Sequence, residues 1–344
     1  MAGKTIVVLG GGVGGLVASN ELRKRLGRDH RIVLVDKETR HVFAPSFTWV
    51  MLGWRDPPRI SRELGLLAKK GIKYVNAEAF EIDLGNRLVK TGAGDFAYDY
   101  LIVALGAELN PRAVPGLSEA AHTPYSLEGS VALRDALKGF DGGKVAVVIA
   151  ALPFKCPAAP YETALLLEYA FRQQGFRDQV DLRVFTPEPL PMPVAGSGVG
   201  TAVKQFLDDR SIGFHPLHKP DSVDRRTLKT NVENVFALGD VASIQLPGRY
   251  KPDIPLMLPK AGVFAHFQAS AVADNIASEI EGRTGGNSFS GKGYCFLETG
   301  HGMAGYGSGN FYGEPQPAVT FGRPNRLWRF AKVLFEKWWL RHWF

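Results

Sequence analysis

The sequence predicts an α/β fold, and three observations carry that prediction. Ile6 to Leu9 is a short β-branched and aliphatic run that gives way to Gly10-Gly11-Gly12-Val13-Gly14-Gly15 and then to helical spacing through Leu16, Ala18, Leu22 and Leu26. A second apolar run, Ile32 to Val35, ends at an acid, Asp36. Two later runs, Asp99 to Gly106 and Asn234 to Asp240, again read as buried strands that open into glycine turns. Short apolar strands punctuated by glycine and alternating with helical periods belong to a parallel sheet.

Each element has a chemical reason. In the first, strand, tight turn, helix, strand and acid follow one another at the spacing of a dinucleotide-binding unit. Gly10 permits the turn, Gly12 lets a pyrophosphate approach backbone N–H groups at the helix start, and Gly15 lets the helix pack on the strand. Asp36, with Lys37 beside it, is placed to accept hydrogen bonds from a ribose. This unit alone does not separate FAD from NAD, since both present an adenosine diphosphate. The later runs do: Ala104 and Gly106, then Gly239 and Asp240, look like the second and third FAD-contacting segments of the two-dinucleotide-binding-domain flavoproteins. In that family the carboxylate matching Asp240 holds the ribityl and pyrophosphate part of FAD.

Composition sets the frame. A chain of 344 residues, 45% hydrophobic, is long enough for two domains, and no repeat or low-complexity stretch interrupts it. Its formal charge of +7 suits nucleic acid, an anionic membrane surface or an acidic partner. The absence of a zinc-ligand cluster, of an RNA-binding aromatic signature and of any block of like charges argues against nucleic acid and against a metal site. The N-terminus runs straight into a strand without an apolar leader, so synthesis in the cytoplasm is expected. No apolar run is long enough to predict a spanning helix.

The two cysteines, Cys156 and Cys295, are too far apart for a close-spaced metal motif, and composition alone reads them as inert core thiols. Their surroundings suggest more. The strand Lys144 to Ile149 leads into Lys155-Cys156-Pro157-Ala158-Ala159-Pro160-Tyr161-Glu162 and an apolar helix through Phe171, where a pyridine-nucleotide enzyme would carry a second glycine fingerprint. A helix N-terminus and a neighbouring lysine both favour thiolate over thiol. Glu162 is a candidate proton acceptor, or an ordinary first-turn carboxylate.

The segment from Lys155 to Glu162, Thr186 to Pro191, Leu258-Pro259-Lys260 with Gly262, Tyr294-Cys295-Phe296 and the terminal Leu334 to Leu340 together resemble sulfide:quinone oxidoreductase, over nearly the whole chain. The flavoprotein subunit of flavocytochrome c sulfide dehydrogenase and type II NADH dehydrogenase are relatives of that family. The resemblance implies FAD as cofactor, sulfide as substrate and a membrane quinone as acceptor. It implies that Cys156 and Cys295 flank the flavin and form a disulfide or polysulfur bridge, with Lys260 beside the flavin ring. It also implies that Phe296, Phe321 and Trp338 sandwich the quinone ring. Three departures stand out: a third family cysteine is missing near Tyr125 to Glu128, the stretch from Leu182 to Ala237 is short, and Trp338 replaces a tyrosine.

The expected architecture is two Rossmann-like dinucleotide-binding domains, the second abbreviated, with a C-terminal amphipathic membrane-associating helix. Residues 1–112 and 232–282 form the FAD domain, 113–231 the second domain, and 283–344 a module facing quinone and membrane. Four of the six tryptophans, Trp328, Trp338, Trp339 and Trp343, lie in the final helix. There Leu327, Ala331, Leu334 and Trp338 make one stripe, with Arg329, Lys332 and Glu336 opposite. Such a helix suits an anionic lipid surface, here the inner face of the cytoplasmic membrane. On this view the helix is separable, and a chain ending at Asn325 still reacts with sulfide. A core helix or a contact in a homo-oligomer is the alternative. Rival activities are a flavoprotein sulfide dehydrogenase with another acceptor, a type II NADH:quinone oxidoreductase and a non-catalytic flavin-binding scaffold.

Overall fold

A computed structural model describes residues 3–111, 121–217, 235–237, 240, 242, 244–251, 254–283 and 287–344. In chain order the elements that place the site are β1 (Thr5–Leu9), α1 (Val13–Arg25), β2 (Arg31–Asp36), α2 (Phe47–Met51), β3 (Lys73–Asn76), β4 (Tyr100–Val103), α3 (Leu127–Leu137) and β5 (Gly143–Val148). They continue with α4 (Ala159–Gln173), β6 (Val180–Phe185), α5 (Ser197–Asp208), β7 (Gly213–His215), β8 (Val235–Ala237), α6 (Gly262–Ile280), β9 (Lys292–Gly300), β10 (Met303–Asn310), β11 (Ala318–Asn325) and α7 (Arg326–His342).

The first sheet is parallel, in the order β8-β4-β1-β2-β3. Val7 sits opposite both Val33 and Leu101, and Phe236 pairs with Ile102, so a strand far along the chain completes the sheet begun at Thr5. Parallel sheets are covered on both faces, which is why β1 and β2 are apolar at nearly every position. On one face Leu16, Val17 and Leu22 of α1 pack with Ala269, Val272 and Ile276 of α6. On the other, Val7, Leu9, Val33 and Val35 meet Val89 of a small antiparallel sheet formed by Ala79–Asp83, Leu88–Thr91 and Gly94–Ala97.

The second sheet has three described strands, all parallel, in the order β5-β6-β7. Its core joins Leu165 and Phe171 of α4 to Leu182 and Val184 of β6 and Val203 and Leu207 of α5. A third, antiparallel sheet, β9-β10-β11, leads directly into α7. Asn325 caps that helix by accepting the Trp328 N–H at 3.0 Å.

The C-terminal helix lies differently from its expected pose. Trp339, Leu340 and Trp343 are buried in the main core with Leu16 and Ala269, and the charges Lys332 and Glu336, opposite the apolar stripe, are each only 4% exposed. Leu327, Phe330, Leu334 and Trp338 face outward instead. Buried charge persists here because it is paired: Glu336 takes a bond from Ser46 at 2.7 Å and an ion pair from Arg55 at 3.0 Å. Among the described residues no helix is long and apolar enough to cross a membrane.

Candidate active site

The dinucleotide end is built by close backbone approach. Gly10 has φ +100°, and a Cβ there would lie 2.4 Å from the Ala104 carbonyl oxygen; at Gly15 a Cβ would come within 1.8 Å of the Gly10 oxygen. Gly12 differs, for it is exposed and a side chain there would meet nothing within 4 Å. Its N–H groups at the start of α1 thus open onto a cradle that an anionic group can enter. Asp36, at the end of β2, accepts the Gly11 N–H and, at 2.7 Å, that of Glu38. Lys37 beside it is exposed, while Ala104 is buried at the end of β4 with Gly106 at φ +78°. These features fit a dinucleotide cofactor. Gly239 lies outside the described residues.

Lys260 and Asp240 come together. The Lys260 ammonium donates to the Asp240 and Ala242 carbonyl oxygens, and burial pulls its pKa down. A cleft runs between Asp240, Leu258, Pro259, Lys260 and Phe264. Two residues on, Gly262 starts α6 against Val13, where an added Cβ would lie 3.2 Å from the valine side chain. This segment therefore adjoins the glycine turn.

The cysteine pair attaches to the same place. Cys156 N–H donates to the Lys260 carbonyl at 2.8 Å, and its own carbonyl accepts the Ala159 N–H at 2.9 Å. Cys156 has φ +46°, a left-handed conformation unusual for a residue with a Cβ. That turn brings Cys156 into the same packed cluster as Cys295 on β9, whose Sγ donates to the Phe296 carbonyl at 3.3 Å. The pair is asymmetric. The neighbouring Cys295 lowers the Cys156 pKa, helped by the Ala159 N–H and by Lys332, against the effects of burial and Glu162. Cys295 is pushed well above the usual thiol value, first by its neighbour Cys156 and then by burial and by Glu162, against Lys332.

The cation near Cys156 is not the one expected. Lys155 turns away to Asp240, at 3.6 Å, because that carboxylate lies on its side of the turn. Lys332 from α7 enters this region instead, against Glu162, and it was invisible in the sequence because it lies 176 residues beyond Cys156. Its ammonium donates to Glu162 at 2.8 Å and lies 3.6 Å from Glu298. Glu162 does turn inward, but its oxygens are taken by Thr48 at 2.9 Å, by Lys332 and by the Glu298 N–H at 3.2 Å. Arg329 pairs with Glu298 at 3.0 Å, and the Trp49 indole N–H donates to it at 2.9 Å. Trp49 is fully buried, with Arg55, Arg329 and Lys332 all within 5.0 Å of its ring centroid.

The three expected quinone contacts do not converge. Cys295, Gly307 and Phe321 are directly paired across β9, β10 and β11, and so are Phe296, Tyr306 and Gly322. Paired residues share a face and successive residues alternate, so Phe321 points with Cys295 into the core near Phe206, while Phe296 points the other way. On that other face an aromatic cluster forms around Phe335, which meets Tyr294 at 6.0 Å, Phe296 at 6.4 Å and Trp338 at 6.0 Å between ring centroids. Phe335 and Tyr294, not Phe321, accompany Phe296 and Trp338.

Known proteins resemble this chain along most of its length. Residues 4–151 match the pyridine nucleotide-disulphide oxidoreductase family. The sulfide-quinone reductase of Aquifex aeolicus is 28% identical over 334 residues, covering 80% of this chain and 77% of that protein. The mitochondrial sulfide:quinone oxidoreductase of Mus musculus is 28% identical over 52% of this chain and 40% of its own length. The crystal structure of the Aquifex aeolicus sulfide:quinone oxidoreductase has the same fold, with a TM-score of 0.87 over 99% of this chain and 92% of that one at 24% identity. The chain is thus similar to the sulfide-quinone reductases over most of its length, and its residues 4–151 match the pyridine nucleotide-disulphide oxidoreductase family.

Proposed function

We propose that this protein is an FAD-dependent sulfide:quinone oxidoreductase. One observation carries the reading: an asymmetric pair of thiols packed in one cluster and joined, through the Lys260 backbone, to the segment that adjoins the glycine turn. Residues 1–112 and 232–282 would serve as the FAD domain, a division supported by the pairing of Phe236 with Ile102. Gly10, Gly12, Gly15, Asp36, Ala104, Gly106 and Asp240 would hold the cofactor, with Lys260 at its ring. When bound, the flavin supplies the two-electron acceptor.

The chain's own chemistry follows from the asymmetry. In the oxidised state Cys156 and Cys295 share a disulfide, and hydrosulfide breaks it by attacking one sulfur while the other leaves as thiolate. The sulfur of lower pKa is the better leaving group, so Cys156 departs and Cys295 becomes the persulfide. A second hydrosulfide attacks the outer sulfur of that persulfide, releasing disulfane as its anion and returning Cys295 to the thiol. Re-forming the disulfide then gives up one proton and two electrons. Glu162 is held in place between the two cysteine-bearing segments by Thr48, Lys332 and the Glu298 N–H.

The exposed Leu327, Phe330, Leu334 and Trp338 on α7 support contact with an anionic membrane on its inner face, from which a quinone would reach the Phe296, Phe335 and Trp338 cluster. Anaerobic titration tests the whole reading. Sulfide should bleach the flavin band in proportion while NADH should not, and bleaching by NADH alone would replace this proposal with an NADH:quinone activity.

A further inference from the structure

The short strand Arg40–Val42 carries a histidine that the sulfur chemistry does not use. Alternation along this strand leaves Arg40 exposed and turns His41 inward, where it is 2% exposed. Buried polar atoms need partners, and both ring nitrogens have one: the Trp339 indole N–H lies 3.2 Å from Nε2, and the Gly11 carbonyl oxygen lies 3.0 Å from Nδ1. An indole N–H only donates, so Nε2 is the acceptor and the proton of the neutral ring sits on Nδ1, which donates to Gly11. The other backbone group of Gly11 is held as well, because its N–H donates to the Asp36 carboxylate. Gly11 is buried, whereas Gly12 beside it is exposed.

The Gly11–Gly12 peptide bond is trans, and in a planar trans peptide the C=O and the following N–H point in opposite directions. With the Gly11 oxygen drawn inward to His41, the Gly12 N–H faces the open side of the turn, where an added Cβ would meet nothing within 4 Å. Two adjacent glycines give this peptide little steric preference over its flipped orientation, so the orientation has to come from a partner. We propose that His41 is a positioning residue for the cofactor turn: its Nδ1–H fixes the Gly11 carbonyl inward and so aims the Gly12 N–H at the pyrophosphate of a bound dinucleotide. A donor already turned toward its ligand does not lose affinity to reordering on binding. The inference rests on the reading of this turn as the FAD site and adds a residue from outside the glycine motif to it.

The test uses the full-length protein freed of flavin and measures its affinity for FAD and for ADP by calorimetry, together with its melting temperature. An asparagine side chain can place an N–H donor where Nδ1 stands, and a glutamine side chain an acceptor where Nε2 stands. His41→Asn should therefore melt lower, because it gives up the Trp339 bond, yet keep both affinities near those of the wild type. His41→Gln should keep the Trp339 bond and lose about tenfold in both affinities, the scale of one hydrogen bond. Unchanged affinity in His41→Gln, or affinity losses in the two variants that simply follow their melting temperatures, would make His41 a packing residue and overturn the proposal. If His41→Asn does not fold, Trp339→Phe takes its place: it removes the indole N–H, leaves the Gly11 bond and should melt lower at wild-type affinity. A loss there equal to that in His41→Gln would overturn the proposal too. A wild type that bound ADP but not FAD would strike the FAD reading alone, because ADP carries the same pyrophosphate.

Discussion

Trp339 donates its indole N–H to His41 Nε2 at 3.2 Å, and the other nitrogen of that ring meets the Gly11 carbonyl at 3.0 Å. Burial lowers the His41 pKa, so the ring is neutral, accepting at Nε2 and donating at Nδ1. The last helix and the glycine turn are therefore linked by one imidazole. This relationship argues against a detachable C-terminal module. A chain ending at Asn325 loses Trp339, Leu340 and Trp343 from the main core and strands Glu162 and Glu298 without Lys332. Each large core deletion costs about 2–5 kcal/mol. The truncated chain should precipitate or melt far below the full-length protein and should retain little flavin, as thermal melting and absorbance will show. A yellow truncated protein that sulfide still bleaches would restore the separable-helix view.

The two glycines at the start of α1 should separate binding from folding. Gly12 has φ −68° and open space at its Cβ, so Gly12→Val should fold with an unchanged apo melting temperature yet lose most of its flavin. Gly15 faces the Gly10 oxygen, and even Gly15→Ala should lower the melting temperature, because that contact cannot be relieved without moving backbone. Flavin absorbance per protein and apo melting curves decide it. Full occupancy in Gly12→Val would remove the pyrophosphate from this turn.

Much of this was legible in the sequence, and the rest has a common cause. Strands such as β1, β2 and β4 show in their apolar runs because burial on both faces leaves no polar alternative. The cysteine turn was legible through Pro157 and Pro160 near the start of α4. The periodicity of α7 was also correct, since Leu327, Leu334 and Trp338 do share a face. Which face turned inward was not readable: the partners that make Lys332 and Glu336 buriable, namely Glu162, Glu298, Ser46 and Arg55, lie far away in sequence. The side chosen by Phe321 was hidden likewise, since it depends on the register of β11 against β10.

Glu188 should mark the pH dependence of stability. It is 3% exposed, bonded by Tyr161 and Thr186, and burial raises its pKa from 4.5 to about 7. A carboxyl that holds its proton more tightly when folded stabilises the fold at low pH. That contribution is complete below pH 4.5 and is lost as pH rises through about 7. Its full size is up to about 3 kcal/mol. Glu188→Gln, which keeps the shape without the charge, should flatten the fall in stability across this window in urea titrations at several pH values. A slope identical to that of the wild type would show that Glu188 does not carry it.

The cysteine pair yields the most direct test, because its asymmetry assigns different fates to two otherwise similar residues. Cys156→Ser and Cys295→Ser should both stay yellow, since neither side chain belongs to the glycine turn, and both should lose sulfide-dependent bleaching by at least about a hundredfold, the scale expected when one member of a nucleophilic pair is removed. Beyond that loss, the wild type should show where sulfur is carried. Cys295 holds its proton more tightly than Cys156 and is the poorer leaving group, so the disulfide should open with the new sulfur on Cys295. Mixing the oxidised protein with one equivalent of sulfide, quenching with an alkylating agent and sequencing the peptides by mass should find the persulfide on the Cys295 peptide and a simple alkylated thiol on the Cys156 peptide. The reverse distribution would mean that Cys295, not Cys156, leaves as thiolate, and the charge arrangement around Lys332 would then have been read with the wrong sign.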